Sequence, residues 1–292
     1  MIICPKCKAP ILLSHSSRIN CECGTHFDEE GGILFFARDY EEFFADHTKE
    51  SVSILEKSAT EHFWLLERKR WVMRAVNRYL GTSDRFLDVG VGGCDIAVGL
   101  RDEGIDVTLA DIQKESLEIG AKLGFEHLFQ FNLYEPVFKD HFQGVGVFDV
   151  LEHLDDDALA IKNLLQMISP GGFVFATVPA FNFLWNNRDN MEMHKRRYSR
   201  RQFVNLFQSQ GADVVSCTYI FSFIFPLLLI RAMQSWLAPR TEFSESDQLQ
   251  QFSIGSTVNK ALKLVTKVER KIFRQRSLPF GGSLLLIARR GY

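Results

Sequence analysis

The sequence of 292 residues predicts an α/β protein with an open, mostly parallel sheet of seven strands and helices on both faces. Three observations lead to this expectation. From Arg85 onward, short apolar runs alternate with stretches of helical spacing, which is the order typical of β-α-β units. A glycine-rich turn joins the first apolar run to the helix that follows it. A last apolar run returns near the C-terminal end, after a long insertion.

Seven segments are predicted to form the strands, because each is a short apolar run bounded by polar or turn residues. In chain order they are "FLDV", "IDVTLAD", "HLFQF", "GVGVFDV", "GGFVFATV", "ADVVSCTYI" and "GGSLLLIARR". The segments "CDIAVGL", "QKESLEIGAKLG" and "DDDALAIKNLLQMI" have helical spacing and lie between strands. Because ligands of open α/β sheets collect at the carboxyl ends of the strands, we expect the functional site at that edge.

The main α/β domain, 81–220, is flanked by segments of different character. A small cysteine-rich segment covers 1–37, and predicted helices cover 38–80. An insertion at 221–280, apolar at first and then polar and helical, precedes the last strand at 281–292. In "EHFWLLERKRWVMRAVNRYL" the apolar residues share one helical face, and the arginines are expected on an opposite, solvated face.

Charge and cysteine usage limit the classes of partner and compartment. The 34 Lys and Arg against 36 Asp and Glu give a net charge of −2, which argues against attraction of nucleic acid by the whole surface. Met1 is not followed by a basic start and an apolar leader, and four of the six cysteines fall in the first 23 residues. This pattern is typical of a reducing compartment, so we expect a cytoplasmic protein.

The cysteine-rich segment has the spacing of a structural zinc site. "CPKC" and "CECG" are separated by 13 residues and are expected to face each other as two metal-binding turns. Cys4, Cys7 and Cys21 are the firm candidates, and Cys23 is the expected fourth ligand, with His26 as its substitute. Free thiols on a surface hairpin are the alternative interpretation.

The glycine turn is a candidate ligand site. Backbone amides at a helix N-terminus attract an anion or a polar cofactor, so the turn could hold a dinucleotide, another nucleoside, or nothing at all. Asp111, 21 residues after Gly90, ends the next strand and can accept hydrogen bonds from both hydroxyls of a ribose. The third glycine of the dinucleotide pattern is replaced by Asp95, whose carboxylate disfavours a pyrophosphate.

The turn "LDVGVGGC" resembles the first motif of class I S-adenosylmethionine-dependent methyltransferases, a superfamily of Rossmann-like fold. "FDVLEHLDDD" resembles the fourth-strand motif of that family, and "WNNRDNMEMHKRRYSRRQF" resembles a segment of one bacterial subgroup. Cys94 stands where the family has its third glycine. The N-terminal cysteine turns resemble zinc ribbons attached to some methyltransferases, including certain ribosomal-RNA guanine enzymes.

This resemblance implies S-adenosylmethionine as the cofactor and a set of residues that contact it. They are Asp88, Gly90 and Gly92 around the methionine part, Asp111 on the ribose, Ile112 and Asn132 at the adenine, and Asp149 at the amino group or the acceptor. The sulfonium already carries an activated methyl group, so the protein chiefly aligns the acceptor and excludes water.

An oxygen or nitrogen acceptor can also need its proton removed, and His153 with Asp149 are the predicted catalytic residues. Glu152 is a weaker candidate for the same task. The segment after the fifth strand supplies the candidate acceptor contacts, which are Trp185, Asp189, His194, Arg197 and Tyr198.

Two segments indicate different acceptors. The basic segment "HKRRYSRR", 194–201, could bind RNA together with the zinc ribbon, or be a solvated turn. Residues 214–230 are 17 uncharged, mostly apolar residues, too few to span a membrane, and they favour a lid over an apolar pocket or peripheral membrane contact. The leading prediction is therefore methyl transfer to a small, hydrophobic or lipid-like molecule; RNA methylation and a cofactor-binding scaffold without activity are the alternatives.

Overall fold

The computed structural model describes residues 1–12, 18–37, 61–239, 254–273 and 278–291. The helices predicted for 38–60, and the parts of the predicted insertion at 240–253 and 274–277, lie outside the described residues.

All seven predicted strands are present, and three N-terminal strands extend their sheet. In chain order the strands are β1 (Arg18–Asn20), β2 (His26–Glu30), β3 (Ile33–Phe35), β4 (Arg85–Val89), β5 (Asp106–Asp111), β6 (Leu128–Gln130), β7 (Phe142–Phe148), β8 (Ile168–Pro179), β9 (Ala212–Ile220) and β10 (Ser283–Arg290). Their order across the sheet is β1-β2-β3-β6-β5-β4-β7-β8-β10-β9. Pairing from β3 through β6, β5, β4 and β7 to β8 is parallel, whereas β10 is antiparallel to both β8 and β9.

The cysteine-rich segment is continuous with the main sheet. β1, β2 and β3 form an antiparallel meander, and β3 then pairs in parallel with β6, with Ile33 opposite Leu128. Ile33, Leu34 and Phe35 are all buried. Burial of this apolar strand against β6 covers an edge that would otherwise expose unpaired backbone groups.

Helices pack on both faces of the sheet, as predicted. They are α1 (Phe63–Val76), α2 (Asp95–Asp102), α3 (Lys114–Lys122), α4 (Asp157–Met167), α5 (Asn187–Met191), α6 (Arg200–Ser209), α7 (Phe225–Leu237) and α8 (Ser256–Ile272). One core contains the buried side chains of α1, α2 and α3, and the other contains those of α4 and α6. The fold is thus a mixed α/β sheet with a helical layer on each side.

The apolar run 214–230 is divided between two elements. Its first part completes β9, and its second part begins α7. Phe221, between them, is buried and stacks on the ring of Trp64 with centroids 3.8 Å apart. Among the described residues, no helix has both the length and the apolar content to cross a bilayer.

Candidate functional site

The glycine turn between β4 and α2 has the backbone conformation that its sequence predicts. Gly90 and Gly92 have φ of +74° and +48°. A Cβ at Gly90 would lie 2.3 Å from Cγ2 of Val150, whereas a Cβ at Gly92 would meet nothing within 4 Å. Cys94, where the family has a glycine, keeps the left-handed conformation with φ of +59°. The turn therefore follows a tight path that leaves open space beside Gly92.

Two buried carboxyl groups lie next to this turn. Burial and the like charge of Asp95 raise the pKa of Asp88 to about 8. Burial also raises the pKa of Asp111 to about 6, although Asp111 accepts a hydrogen bond from the amide of Gln113 at 2.9 Å. Such carboxyl groups favour a ligand that brings positive charge or hydroxyl donors.

The residues expected at an adenine lie on the same edge of the sheet. Ile112 follows β5 and is partly buried, and its carbonyl accepts a hydrogen bond from Gln130 at 3.0 Å. Asn132 follows β6, is buried, and accepts a hydrogen bond from the amide of Tyr134 at 2.9 Å. The side-chain oxygen of Asn132 thus holds a turn, which leaves its amide nitrogen as the donor toward a ligand.

Arg68 is a site residue that sequence reasoning missed. Its Nη1 lies 2.5 Å from Oδ2 of Asp149, and its Nη2 lies 3.7 Å from Oδ1 of Asp95. The sequence placed it on a solvated face of α1, but only 15% of its side chain is exposed. Helical spacing could have indicated this burial, because Arg68 lies three residues after Leu65 and four before Val72, both of which are buried on the same face of α1.

Asp149 lies at the end of β7, between the glycine turn and a cavity. It has φ of +56°, and its Oδ1 accepts a hydrogen bond from the hydroxyl of Thr177 at 2.9 Å. With Arg68 on Oδ2, both oxygens of this carboxylate are engaged. Asp149 is therefore a fixed ion-pair partner rather than a free base.

The cavity beside Asp149 has a volume of about 360 Å³. The start of α1 and the inner side of α7 contribute apolar walls, and the segment around α5 contributes charged ones. Its apolar lining is Phe63, Trp64, Leu184, Leu228 and Ile254; its polar lining includes His62, Asp149, Glu152, Asn186, Arg188, Asp189, Glu192, His194, Arg197 and Arg231. A space of this size and mixed lining suits a small organic molecule.

Three of the predicted acceptor contacts line this cavity but bind one another. Arg197 donates to both oxygens of Asp189, at 2.6 and 2.9 Å. His194 contacts Asp189 at 2.9 Å through Nδ1 and Glu192 at 3.2 Å through Nε2. Burial alone would lower the pKa of His194, but the two carboxylates raise it to about 10. His194 is therefore a cation at neutral pH and cannot accept a proton.

Trp185 and Tyr198 do not border the cavity, contrary to the sequence prediction. The indole of Trp185 donates to Asn190 at 2.8 Å. Tyr198 is buried and donates to Asp157 at 2.7 Å, so its ring belongs to the core and is unavailable to stack on a ligand.

Glu152, rather than His153, presents an unsatisfied group to the cavity. Glu152 is fully buried, and neither carboxyl oxygen has a hydrogen-bond partner among the described residues. Burial and the neighbouring Asp149 raise its pKa to about 8. His153 is not among the lining residues, and its ring centroid lies 4.8 Å from that of His194. Side-chain ligand atoms of Glu152, His153 and His194 lie within 4.8 Å of one another, but the protonation of His194 opposes a metal ion there.

The N-terminal cysteines form a second cluster, far from the glycine turn in sequence. Cys4 and Cys23 sulfurs are 3.8 Å apart, and those of Cys7 and Cys21 are 3.4 Å apart. Four thiolates around a tetrahedral zinc ion, at about 2.3 Å each, have sulfur–sulfur distances of about 3.8 Å. The cluster contains Cys23 and excludes His26, and its geometry is compatible with one zinc ion.

Most cations of the basic segment have partners within the protein. Lys195 pairs with Asp155, and Arg196 lies 3.0 Å from Asp157. Arg200 lies 4.8 Å from the ring centroid of Tyr219. These contacts reduce the charge that 194–201 offers to an external polyanion.

Comparison with known proteins places this site in a family. The family model described as a methyltransferase domain matches residues 62–217. The chain is 33% identical over 98 residues to the ubiquinone biosynthesis O-methyltransferase of Vibrio parahaemolyticus, covering 31% of this chain and 42% of that protein. It is 30% identical over 115 residues to the Vibrio cholerae protein of the same name, covering 37% and 46%. The chain thus spans less than half of the length of these curated relatives.

Solved structures share the fold at low sequence identity. Phosphoethanolamine N-methyltransferase 2 of Haemonchus contortus, in complex with S-adenosylmethionine, has a TM-score of 0.57 at 14% identity, covering 87% of this chain and 60% of that chain. The [4+2]-cyclase SpnF has a TM-score of 0.56 at 15% identity, covering 83% and 93%. These likenesses confirm the predicted fold class, whereas the zinc-ribbon resemblance of the cysteine segment stays a prediction because the family match begins at residue 62.

Proposed function

The chain belongs to the methyltransferase domain family, and on that premise we propose that it transfers the methyl group of S-adenosylmethionine to a hydroxyl oxygen of a small, largely apolar acceptor. The observation that carries this proposal is the position of Glu152. Among the described residues, it is the buried carboxyl group without a hydrogen-bond partner in the cavity that Asp149 also lines. The O-methyltransferase name of the sequence relatives supports oxygen as the acceptor atom.

Carboxylates and Arg68 together provide charges suited to the cofactor. Asp111 would accept hydrogen bonds from the ribose hydroxyls, and Asp88 would lie beside the methionine part. The ammonium group of the methionine part would compensate the charge of the protein carboxylates. The guanidinium of Arg68 would attract the carboxylate of the methionine part. S-adenosylmethionine supplies an activated methyl group, so the protein needs no further electrophile.

Glu152 would accept the proton of the acceptor hydroxyl. As the new oxygen–carbon bond forms, the sulfur–carbon bond breaks, and the hydroxyl proton moves to the carboxylate of Glu152. The pKa of Glu152, about 8, is close to neutral pH, so this carboxyl group can both take up and release a proton there. The apolar residues Phe63, Trp64 and Leu228 would exclude water and hold a ring or chain.

The cysteine cluster would bind one structural zinc ion through Cys4, Cys7, Cys21 and Cys23. Four protein ligands leave no open position, so this zinc would stabilise the β1–β3 meander and take no part in methyl transfer.

The test uses S-adenosylmethionine labelled in the methyl group, incubated with the protein and a cell extract. We expect label in small molecules that partition into organic solvent, and loss of that label with Glu152→Gln but not with the exposed Glu126→Gln control. Label in ribonuclease-sensitive material would favour RNA methylation instead. Binding of S-adenosylhomocysteine without transfer to any fraction would favour a scaffold.

A further inference from the structure

Exposed apolar side chains are concentrated in the two helices between β9 and β10. Among the described residues, eighteen large apolar side chains are exposed, and twelve of them lie between Phe223 and Phe280. Single exposed apolar residues are ordinary on protein surfaces, but a concentrated group marks a contact surface.

Helix α8 has three distinct faces rather than two. One face is buried and includes Thr266 and Glu269. A second, outward face is apolar, and Lys or Arg side chains form the third. The outward apolar residues are Val258, Leu264, Val265, Val268 and Ile272; the cations are Lys260, Lys263, Lys267 and Lys271. Arg270 lies beside these lysines but pairs with the buried Glu67 at 2.8 Å. An apolar face bordered by lysines, on a helix already packed on the protein, is the arrangement of an interfacial helix.

Helix α7 shows a second outward apolar face. Leu227, Ile230, Met233, Trp236 and Leu237 are exposed, with Trp236 at 58% and Leu237 at 85%. Its inner side packs through Ala232 and Leu228, so these outward residues are not needed to hold the helix in place. A tryptophan beside leucines is frequent where a protein meets the interface of a lipid bilayer.

The residues just before α7 contact the C-terminal end of α8. The amide of Phe223 donates to Glu269 of α8 at 2.7 Å, and the ring of Phe223 contacts that of Phe273 at 5.8 Å. Glu269 is the acidic residue within α8, and it is buried, so the solvent-facing charge of this helix is positive.

We propose that α7 and α8 form a docking surface for an anionic lipid bilayer. The positive charge of α8 is the reason for proposing an anionic partner, because its solvent-facing cations complement anionic headgroups. This charge is local, since the chain as a whole has a net charge of −2. The proposed surface covers 223–237 and 256–272 rather than the predicted 214–230, because 214–220 belongs to β9.

Docking in this way would bring the cavity to the bilayer. Leu228 and Arg231 of α7 line the cavity, and so does Ile254, just before α8. An apolar acceptor dissolved in lipid would then reach the cavity without crossing water. The inference of a lipid contact does not depend on which acceptor is methylated.

The experiment is flotation of the full chain with phosphatidylcholine vesicles, with and without 30% phosphatidylglycerol, in the absence of S-adenosylmethionine. We expect flotation with the anionic vesicles that decreases with salt. Replacing Lys260, Lys267 and Lys271 by Gln should weaken binding by on the order of 100-fold, at about fivefold for each charge. The double variant Leu264→Ser, Val268→Ser should also lose binding, whereas the exposed Leu159→Ser control should not.

Thermal unfolding and binding of S-adenosylhomocysteine check that each variant is folded. Because these positions are exposed, both properties should match those of the unchanged protein. Absence of flotation with anionic vesicles, or flotation unaffected by both sets of variants, would overturn the proposal. So would a dimer in light scattering that the double variant dissociates, because a second copy would then occupy the surface.

Discussion

Protonation of Asp88 should couple cofactor binding to pH. In the free protein, burial and the charge of Asp95 raise the pKa of Asp88 to about 8, so this carboxyl group is mostly neutral at pH 6. A bound ammonium group favours the ionised form, and a proton must then leave when the ligand binds. Affinity for S-adenosylhomocysteine should therefore fall as the pH falls. Its ammonium group stays charged across this range.

The pKa of Asp88 determines how strongly the affinity for S-adenosylhomocysteine depends on pH. If only the ionised form of Asp88 binds well, the dissociation constant should be about 50-fold larger at pH 6 than at pH 8. Asp111, with a pKa of about 6, should add a smaller decrease at the acidic end. Titration calorimetry in buffers of different ionisation enthalpy should detect close to one proton released per ligand near pH 7.

Asp88→Asn is the matched variant, because it keeps the shape and removes the titration. Its affinity should be lower at pH 8 and nearly independent of pH. The same variant should unfold at a higher temperature than the unchanged protein at pH 8. A carboxyl group with a raised folded-state pKa binds its proton more tightly in the folded protein, and stability is lost as the pH rises toward 8. Equal affinity at pH 6 and pH 8 with no proton release would refute this reasoning.

Three further predictions concern other parts of the site. Glu152→Gln should lower kcat by on the order of 100-fold while the affinity for S-adenosylhomocysteine changes less than threefold, because only proton transfer is lost; an equal loss of both would indicate a structural role. Arg68→Gln should leave the partly buried Asp149 carboxylate without its cation and lower the free energy of unfolding by about 1.5–3 kcal/mol; urea denaturation measures this, and a change below 1 kcal/mol would contradict it. Metal analysis should find about one zinc per chain, and Cys7→Ser should lower that ratio and the unfolding temperature with cofactor affinity retained; freely reactive thiols in metal-free protein would argue against the site.

Local patterns were enough to predict the strands, the glycine turn and the carboxyl-end location of the site. β5 and β7, for example, are apolar runs whose period and flanking residues act within a few positions. The pairing of β3 with β6 could not be found in this way, because it joins Ile33 to Leu128 across the chain. No local pattern specifies which distant edge a short apolar strand will cover.

The side-chain roles were harder to predict than the backbone. Arg197 and Tyr198 were expected to contact a ligand, but each is bound to a carboxyl group of the protein, Asp189 and Asp157. Glu152 and His153 are adjacent in sequence, and only the 3₁₀ turn that contains them decides which one faces the cavity. Such choices depend on three-dimensional contacts that residue types alone do not encode.

The place of β10 between β8 and β9 determines when the sheet can be completed during synthesis. β9 leaves the ribosome first, but its described sheet neighbour is β10, and 62 residues separate the end of one from the start of the other. Until β10 arrives, the facing edges of β8 and β9 both have unpaired backbone groups, while the outward residues of α7 are already present. The nascent chain is therefore most exposed to misassociation in this interval, and chaperone dependence should be greatest there.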